Sequence, residues 1–214
     1  MITPSATNPK VTEQRDHIFR VCFIDPFQGE VVSRQTCAER DQSFKAQLAA
    51  MKTTKPQAIF VSAYYTEAGL IARQARELGI RAALVGPDGW DSPKLIETGG
   101  DAVEGGYFSN HYSADSPDAR TQEFVKAYQA RYGQSPDALA ALGYDAAGLL
   151  VDAIRRAGST ERKAIRDALA ATKDYHGATG SISMDAQRNA RKPAVILQVK
   201  HGKFVLVETI APAS

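Results

Sequence analysis

Residues 57–91, QAIFVSAYYTEAGLIARQARELGIRAALVGPDGWD, hold the pattern from which the fold follows. Two short apolar runs, 58–61 and 81–85, enclose the segment 66–78, whose apolar residues recur at helical spacing. Glu67 lies in the first turn of this segment and a glycine follows its end, as is typical of a helix. A strand, a helix and a second strand in this order predict a right-handed crossover with parallel strands.

Polar side chains follow both predicted strands. Tyr64 and Tyr65 come after the first strand, and Asp88 comes after the second. All three therefore leave the sheet at its carboxyl edge, which is where open α/β sheets bind ligands. Two phenol hydroxyls and one carboxylate at one edge suit a small ligand with a positive group, such as an amino acid.

Composition narrows the class of protein. The chain has 214 residues, of which 43% are hydrophobic and 23% charged, so it is expected to be globular, with one large domain or two small lobes. Its net charge of +2 is too small to indicate binding to nucleic acid or to an acidic membrane surface. No apolar run reaches the roughly 18 residues of a membrane helix. Residues 1–10, MITPSATNPK, have neither the charged start nor the apolar core of a signal peptide, so none is expected.

The sequence gives little sign of catalytic or metal chemistry. It lacks the motifs G-x-S-x-G, G-x-G-x-x-G, C-x-x-C and H-E-x-x-H and has no Walker loop, so neither an enzyme nor a cofactor is expected. No two histidines have the helical spacing of metal ligands, so no metal site is expected. Cys22 and Cys37 are interpreted as two unpaired thiols.

The rest of the chain alternates less regularly between strands and helices. Further strands are predicted at 18–24, 29–35, 103–109, 180–184, 194–199 and 204–209, the last two joined at His201-Gly202 as a hairpin. Helices are predicted from a cap at Asp41 or Ser43 to about 55, at 92–98, at 118–132, at 137–157, and at 161–172 behind a cap at Ser159 or Thr160. The helix 137–157 is apolar nearly all round in its middle, which indicates burial on several sides, and a structural hydrogen bond is expected for its Tyr144-Asp145 pair.

Several long stretches together resemble one known family. They are TPSATNP at 3–9, FRVCFIDPFQGE, YYTEAGLIARQARELGI, GPDGWDSPKL, GGDAVEGGYFSNHYS, DALAALGYDAAGLLVDAI, TGSISMD and GKFVLVET. The chain resembles the substrate-binding proteins of branched-chain amino acid ABC transporters, of the leucine/isoleucine/valine-binding type. The resemblance implies a type I periplasmic-binding-protein fold of two α/β lobes with parallel sheets, which close on a ligand in the cleft between them.

Relative to this family the chain looks truncated and internally deleted, with the internal gap near 28–33. The resemblance implies that 25–110 plus 184–214 form the second lobe, and that 1–24 plus 111–183 are the remnant of an incomplete first lobe. The helices 118–132 and 137–157 would then lack the sheet that they normally cover. We expect a chain that is marginally stable or that self-associates through these exposed first-lobe helices.

The resemblance also implies roles for two residues of the second lobe. Tyr64 matches the tyrosine that hydrogen-bonds the ligand, and its alternative interpretation is an aromatic core residue at a strand end. Asp88 matches the acidic position that receives the ligand's ammonium group, and its alternative is a turn residue in Gly-Pro-Asp-Gly. For Asp88 the two interpretations are compatible.

Four other residues are candidates for the pocket. Ser5 and Thr7 match the loop that holds the ligand's carboxylate and ammonium groups, with a simple polar tail as the alternative. Trp90 and Tyr65 are candidates for lining the pocket, and plain packing is the alternative for Trp90.

The sequence therefore predicts a solute-binding component of an ABC transporter. Its partners would be an amino acid and an ABC permease, and the resemblance implies the periplasm. The alternatives are a sensory or regulatory ligand-binding domain of the same fold, a nonfunctional remnant of the family, and an enzyme of similar α/β architecture.

Overall fold

The structure is a computed structural model, and it describes residues 2–3, 9–12, 19–21, 35–38 and 40–212. The chain divides into two compact units. The first unit comprises Met1–Gly29, His111–Val195 and Thr209–Ser214, and the second comprises Glu30–Asn110 and Ile196–Glu208. The expected division put 184–214 with the second lobe, whereas 184–195 and 209–212 group with the first unit. Ser183 pairs with Arg191, which ties 184–195 to the strand before it.

A five-stranded sheet forms the centre of the second unit. Its strands are β3 (Ala58–Phe60), β4 (Ala83–Gly86), β5 (Tyr107–Asn110), β9 (Ala194–Lys200) and β10 (Lys203–Ile210), in the order β10-β9-β5-β4-β3. β3, β4 and β5 pair in parallel, with Ile59 opposite Leu84. The predicted crossover is thus confirmed, with α2 (Tyr65–Glu77) as its helix. The predicted hairpin is confirmed too, since His201 and Gly202, with φ of 53° and 67°, join β9 to β10.

Two further helices, α1 (Lys45–Thr53) and α3 (Pro93–Gly99), belong to the second unit. The cap predicted for α1 was wrong. Phe44 occupies the N-cap position, and its backbone N–H donates to Oε1 of buried Gln74 at 2.7 Å. Asp41 instead accepts a hydrogen bond from the backbone N–H of Ala38 at 2.8 Å, within the preceding turn. A side chain from α2 thus takes over the role of a local cap.

Among its described residues, the first unit contains three α-helices and several short strands. Its helices are α4 (Ala119–Tyr132), α5 (Ala138–Ala157) and α6 (Arg162–Ala170). Its strands are β1 (Ile2–Thr3) and β2 (Phe19–Arg20), which pair in parallel, and β6 (Tyr175–Gly177), β7 (Gly180–Met184) and β8 (Ala190–Arg191), which form an antiparallel sheet. The sequence did not predict β6 and β8, because two or three residues are too few to show a period.

Aspartate side chains cap two of the helices described in the first unit. Asp118 and Asp137 cap α4 and α5 by accepting hydrogen bonds from the backbone N–H groups of Thr121 and Ala140 at 3.0 and 2.8 Å. For α6 the predicted cap was wrong, because Glu161 is the N-cap residue. Ser159 Oγ accepts from the N–H of Glu161 at 3.0 Å and so stabilises the turn before the helix.

A buried cluster joins these helices to the strands of the first unit. It consists of Phe19, Val21, Leu142, Leu149, Ala153, Leu169, Ile182 and Ala190. The apolar face of α5 therefore has a partial partner in β2 and β7. Among the described residues, no helix is long and apolar enough to cross a membrane.

Candidate ligand-binding site

The carboxyl ends of β3 and β4 define the candidate site. Phe60 lies opposite Val85, and the backbone N–H of Val61 donates to the carbonyl oxygen of Val85 at 2.7 Å, so the two strands end level with each other. Tyr64 follows β3 and Asp88 follows β4. Both residues therefore leave the parallel pair at the same edge, as the crossover pattern predicts.

Tyr64 begins helix α2 with its backbone and leaves its ring in solvent. It occupies the N-cap position with extended backbone angles, and its carbonyl oxygen accepts from the N–H of Ala68 at 2.8 Å. Its side chain is 67% exposed. That exposure rules out the alternative of an aromatic core residue, so the ring is available to a ligand.

The Tyr64 ring lies against the loop that carries Asp88. A Cβ atom added to Gly89 would stand 3.2 Å from Cδ1 of Tyr64, which is closer than an ordinary van der Waals contact. Asp88 itself is half-buried and opens a short 3-10 turn, Asp88–Trp90, in which its carbonyl oxygen accepts from the N–H of Asp91 at 3.1 Å. The turn alternative for Asp88 is thus present in the backbone.

Trp90 is a core residue rather than part of a pocket lining. It is 0% exposed, its ring centroid lies 6.1 Å from that of Phe108, and its Nε1 donates to the carbonyl oxygen of Val61 at 3.2 Å. A fully buried indole has no surface to offer a ligand, so the interpretation as plain packing replaces the pocket role. The sequence signal, a tryptophan directly after a turn, did not distinguish the two.

Of the remaining pocket candidates, the structure describes only Tyr65. Tyr65 is half-buried as the first residue of α2, and its ring centroid lies 6.5 Å from that of Tyr64. Ser5 and Thr7 lie outside the described residues. Cys37 is a free, exposed thiol, and Cys22 is also outside the described part of the chain. Within that part, no group of three or more His, Cys, Asp or Glu could hold a metal ion.

This arrangement suits binding of a zwitterion. A carboxylate can neutralise an ammonium group, whose unpaired burial is costly, and a phenol hydroxyl can donate a hydrogen bond to a ligand carboxylate.

Comparisons with known proteins show which family and which solved structures the chain is similar to. A family model described as periplasmic binding protein matches residues 25–203. A leucine-binding protein from Thermotoga maritima superposes with a TM-score of 0.93 and 37% identity, over 99% of this chain and 73% of its own. A branched-chain amino acid transporter substrate-binding protein from Streptococcus pneumoniae, solved with isoleucine, gives a TM-score of 0.88 and 31% identity over 99% of this chain and 72% of its own. These likenesses confirm the predicted fold class.

A curated relative shows how the lengths differ. The leucine-, isoleucine-, valine-, threonine- and alanine-binding protein of Pseudomonas aeruginosa is 26% identical over 86% of this chain. The chain spans only 61% of that protein's length. The alignment runs over 230 positions, more than the 214 residues of this chain, so it includes positions of the relative that have no counterpart here. This supports the predicted internal deletion, whose expected place near 28–33 lies outside the described residues.

Proposed function

Because this chain belongs to the periplasmic binding protein family, we propose that it is the solute-binding component of an ABC transporter and captures a branched-chain or related amino acid. The observation that carries the proposal is the shared edge of Tyr64 and Asp88, where the Tyr64 ring lies against Gly89. The names of the similar structures, one leucine-binding and one solved with isoleucine, support this class of ligand.

In this proposal the second unit supplies two side chains that bind oppositely charged groups of the ligand. The Asp88 carboxylate receives the ammonium group of the ligand, and the Tyr64 hydroxyl donates to its carboxylate. For Ser5 and Thr7, which lie outside the described residues, contacts to the ligand are implied only by the family resemblance. The protein performs no chemistry on the ligand, in keeping with a family of solute-binding proteins rather than enzymes.

Two features of this role come from the family alone. The partner that receives the amino acid would be an ABC permease, and the compartment would be the periplasm. The family description supports the periplasm, and the neighbour from Streptococcus pneumoniae, a transporter substrate-binding protein, supports the permease.

We also propose that the chain self-associates through the exposed helices of the first unit. α5 presents Leu139, Tyr144, Leu150 and Val151 with 60%, 57%, 38% and 46% of their surfaces exposed. Apolar side chains clustered on one helix face favour association, since burying each is worth about 1.5–3 kcal/mol.

The test of the proposed function is calorimetric titration of the purified chain with leucine, isoleucine, valine and phenylalanine. We expect heat and one-site saturation with at least one of them. No heat with any of the four, from a protein whose circular dichroism shows it folded, would contradict the proposal.

That negative result would favour a remnant that keeps the family fold without a complete pocket. The observation behind this alternative is length, because the chain spans only 61% and 64% of the first two curated relatives.

A further inference from the structure

A buried lysine lies at the centre of a polar network in the first unit. Lys192 follows β8 and is only 2% exposed. Its Nζ donates to the carbonyl oxygen of His111 at 3.2 Å and makes a short hydrogen bond to the hydroxyl of Thr179. A lysine is almost never buried to this extent without compensating partners, so its position needs an explanation.

The network continues from Thr179 to a buried carboxylate. The Thr179 hydroxyl donates to Oδ2 of Asp145 at 2.6 Å, and Asp145 is 0% exposed on α5. Asp145 also accepts from the backbone N–H groups of Ala178 and Thr179 at 2.6 and 2.8 Å. The hydroxyl thus links a buried positive charge to a buried negative one, and the structural hydrogen bond expected of Asp145 is confirmed.

The network lies where the chain passes between its two units. His111 is the first residue of the first unit after Asn110, and Lys192 lies shortly before Val195, where the chain leaves the first unit again. The hydrogen bond from Lys192 to the His111 carbonyl oxygen therefore joins two separate connections, 81 residues apart in sequence, at their first-unit ends.

We propose that Lys192 is a positioning residue that fixes these two connections to each other, and that Thr179 and Asp145 hold its ammonium group in place. A merely packed residue would not need a charge at this point. The Lys192 ammonium group donates to the His111 carbonyl oxygen and to the Thr179 hydroxyl simultaneously. Because hydrogen bonds depend on direction as well as distance, this pair of bonds fixes how the segments at 111 and 192 lie against each other.

Hydrogen exchange of the unliganded chain, followed by mass spectrometry, tests the proposal. In Lys192→Met we expect amides of 111–114 and 177–180 to exchange at least about tenfold faster, while those of α2 keep their rates. Lys192→Arg should restore part of the protection, because it keeps the charge. Lys200→Met is the matched control, since Lys200 is an exposed lysine at the end of β9.

Two results would overturn the proposal. One is unchanged exchange at 111–114 in Lys192→Met, and the other is faster exchange spread evenly over α5 and α6, which would indicate general destabilisation only. If Lys192→Met does not fold, Thr179→Val removes the linking hydroxyl and keeps both charges. The same local increase is then expected, and its absence overturns the proposal.

Calorimetric titration with leucine tests whether the network also affects ligand binding, a link that rests on the proposed function. If the chain binds leucine, Lys192→Met should raise the dissociation constant by about threefold or more. The segments at 111 and 192, no longer held together, would have to be ordered again on binding. Lys200→Met should leave the dissociation constant unchanged. An unaltered dissociation constant in Lys192→Met would contradict this link to binding. Absence of leucine binding by the unmodified chain counts against the proposed function, whereas the exchange result judges the positioning role separately.

Discussion

The indole Nε1 of Trp90 donates a hydrogen bond to the carbonyl oxygen of Val61 at 3.2 Å. This bond ties the loop after β4 to the residue that follows β3. The same loop carries Asp88, and the chain after Val61 leads to Tyr64. A buried side chain that cannot touch a ligand therefore fixes the spacing between the two residues proposed to hold it.

The space for Trp90 depends on Gly86, so Gly86→Ala should destabilise the second unit. A Cβ atom at Gly86 would stand 2.1 Å from Cε2 of Trp90, and the indole is fully buried. Overpacking of this kind should lower the free energy of unfolding by about 1–3 kcal/mol, measured by urea denaturation. Gly143→Ala in α5 is the control, because its Cβ would meet nothing within 4 Å. It should raise stability by about 0.5–1 kcal/mol. Equal effects of the two substitutions would refute the argument.

Asp88→Asn and Tyr64→Phe should weaken amino-acid binding, to different degrees. Losing the counter-charge to an ammonium group should raise the dissociation constant at least about tenfold, which corresponds to 1.4 kcal/mol. Losing one phenol hydrogen bond should raise it by roughly three- to tenfold, in line with 0.5–1.5 kcal/mol. Calorimetric titration measures both effects.

The controls for these two variants are Asp101→Asn and Tyr107→Phe. Asp101 is exposed in the 3-10 turn Gly100–Val103, and Tyr107 begins β5, at the opposite edge of the sheet. If the site variants bind as tightly as these controls do, the assignment of Tyr64 and Asp88 is wrong.

Alkaline pH should destabilise the first unit through Tyr175. Burial raises the pKa of the Tyr175 phenol, and the nearby Asp145 carboxylate raises it further. Below the usual phenol pKa of about 10, Tyr175 keeps its proton in both the folded and the unfolded chain. Its contribution to the free energy of unfolding therefore does not change with pH in that range. Above it the unfolded chain releases the proton first, and stability falls as the pH rises. Denaturation midpoints between about pH 9 and 11 should fall less steeply in Tyr175→Phe than in the unmodified chain. Tyr132→Phe is the control, because that ring is 58% exposed; equal slopes in the two variants would count against the prediction.

Self-association should depend on the apolar face of α5. Size-exclusion chromatography with light scattering, at several protein concentrations, should show a mass that rises with concentration. Replacing Leu139, Leu150 and Val151 together by Gln should shift the chain toward the monomer, because the side chains that favour association are gone. Arg155→Gln, at an exposed position of the same helix, should not shift the chain toward the monomer. A sharply melting monomer at every concentration would contradict the prediction.

The sequence by itself determined most of the helices and longer strands and the sheet edge at which the proposed site lies. The crossover 58–85 was predictable because helix and strand periods, a terminal glycine and short apolar runs are local properties of the chain. From parallel pairing alone it followed that Tyr64 and Asp88 share an edge, and the structure places both there.

Tertiary structure alone decided which polar and aromatic side chains are buried. Gln74 caps α1 through Phe44, 30 residues away, and Trp90 turns inward to Val61, 29 residues away. Lys192 reaches Thr179 and the His111 carbonyl oxygen, which are 13 and 81 residues away. No period or spacing in the sequence records such contacts, because they arise only when separate elements pack together.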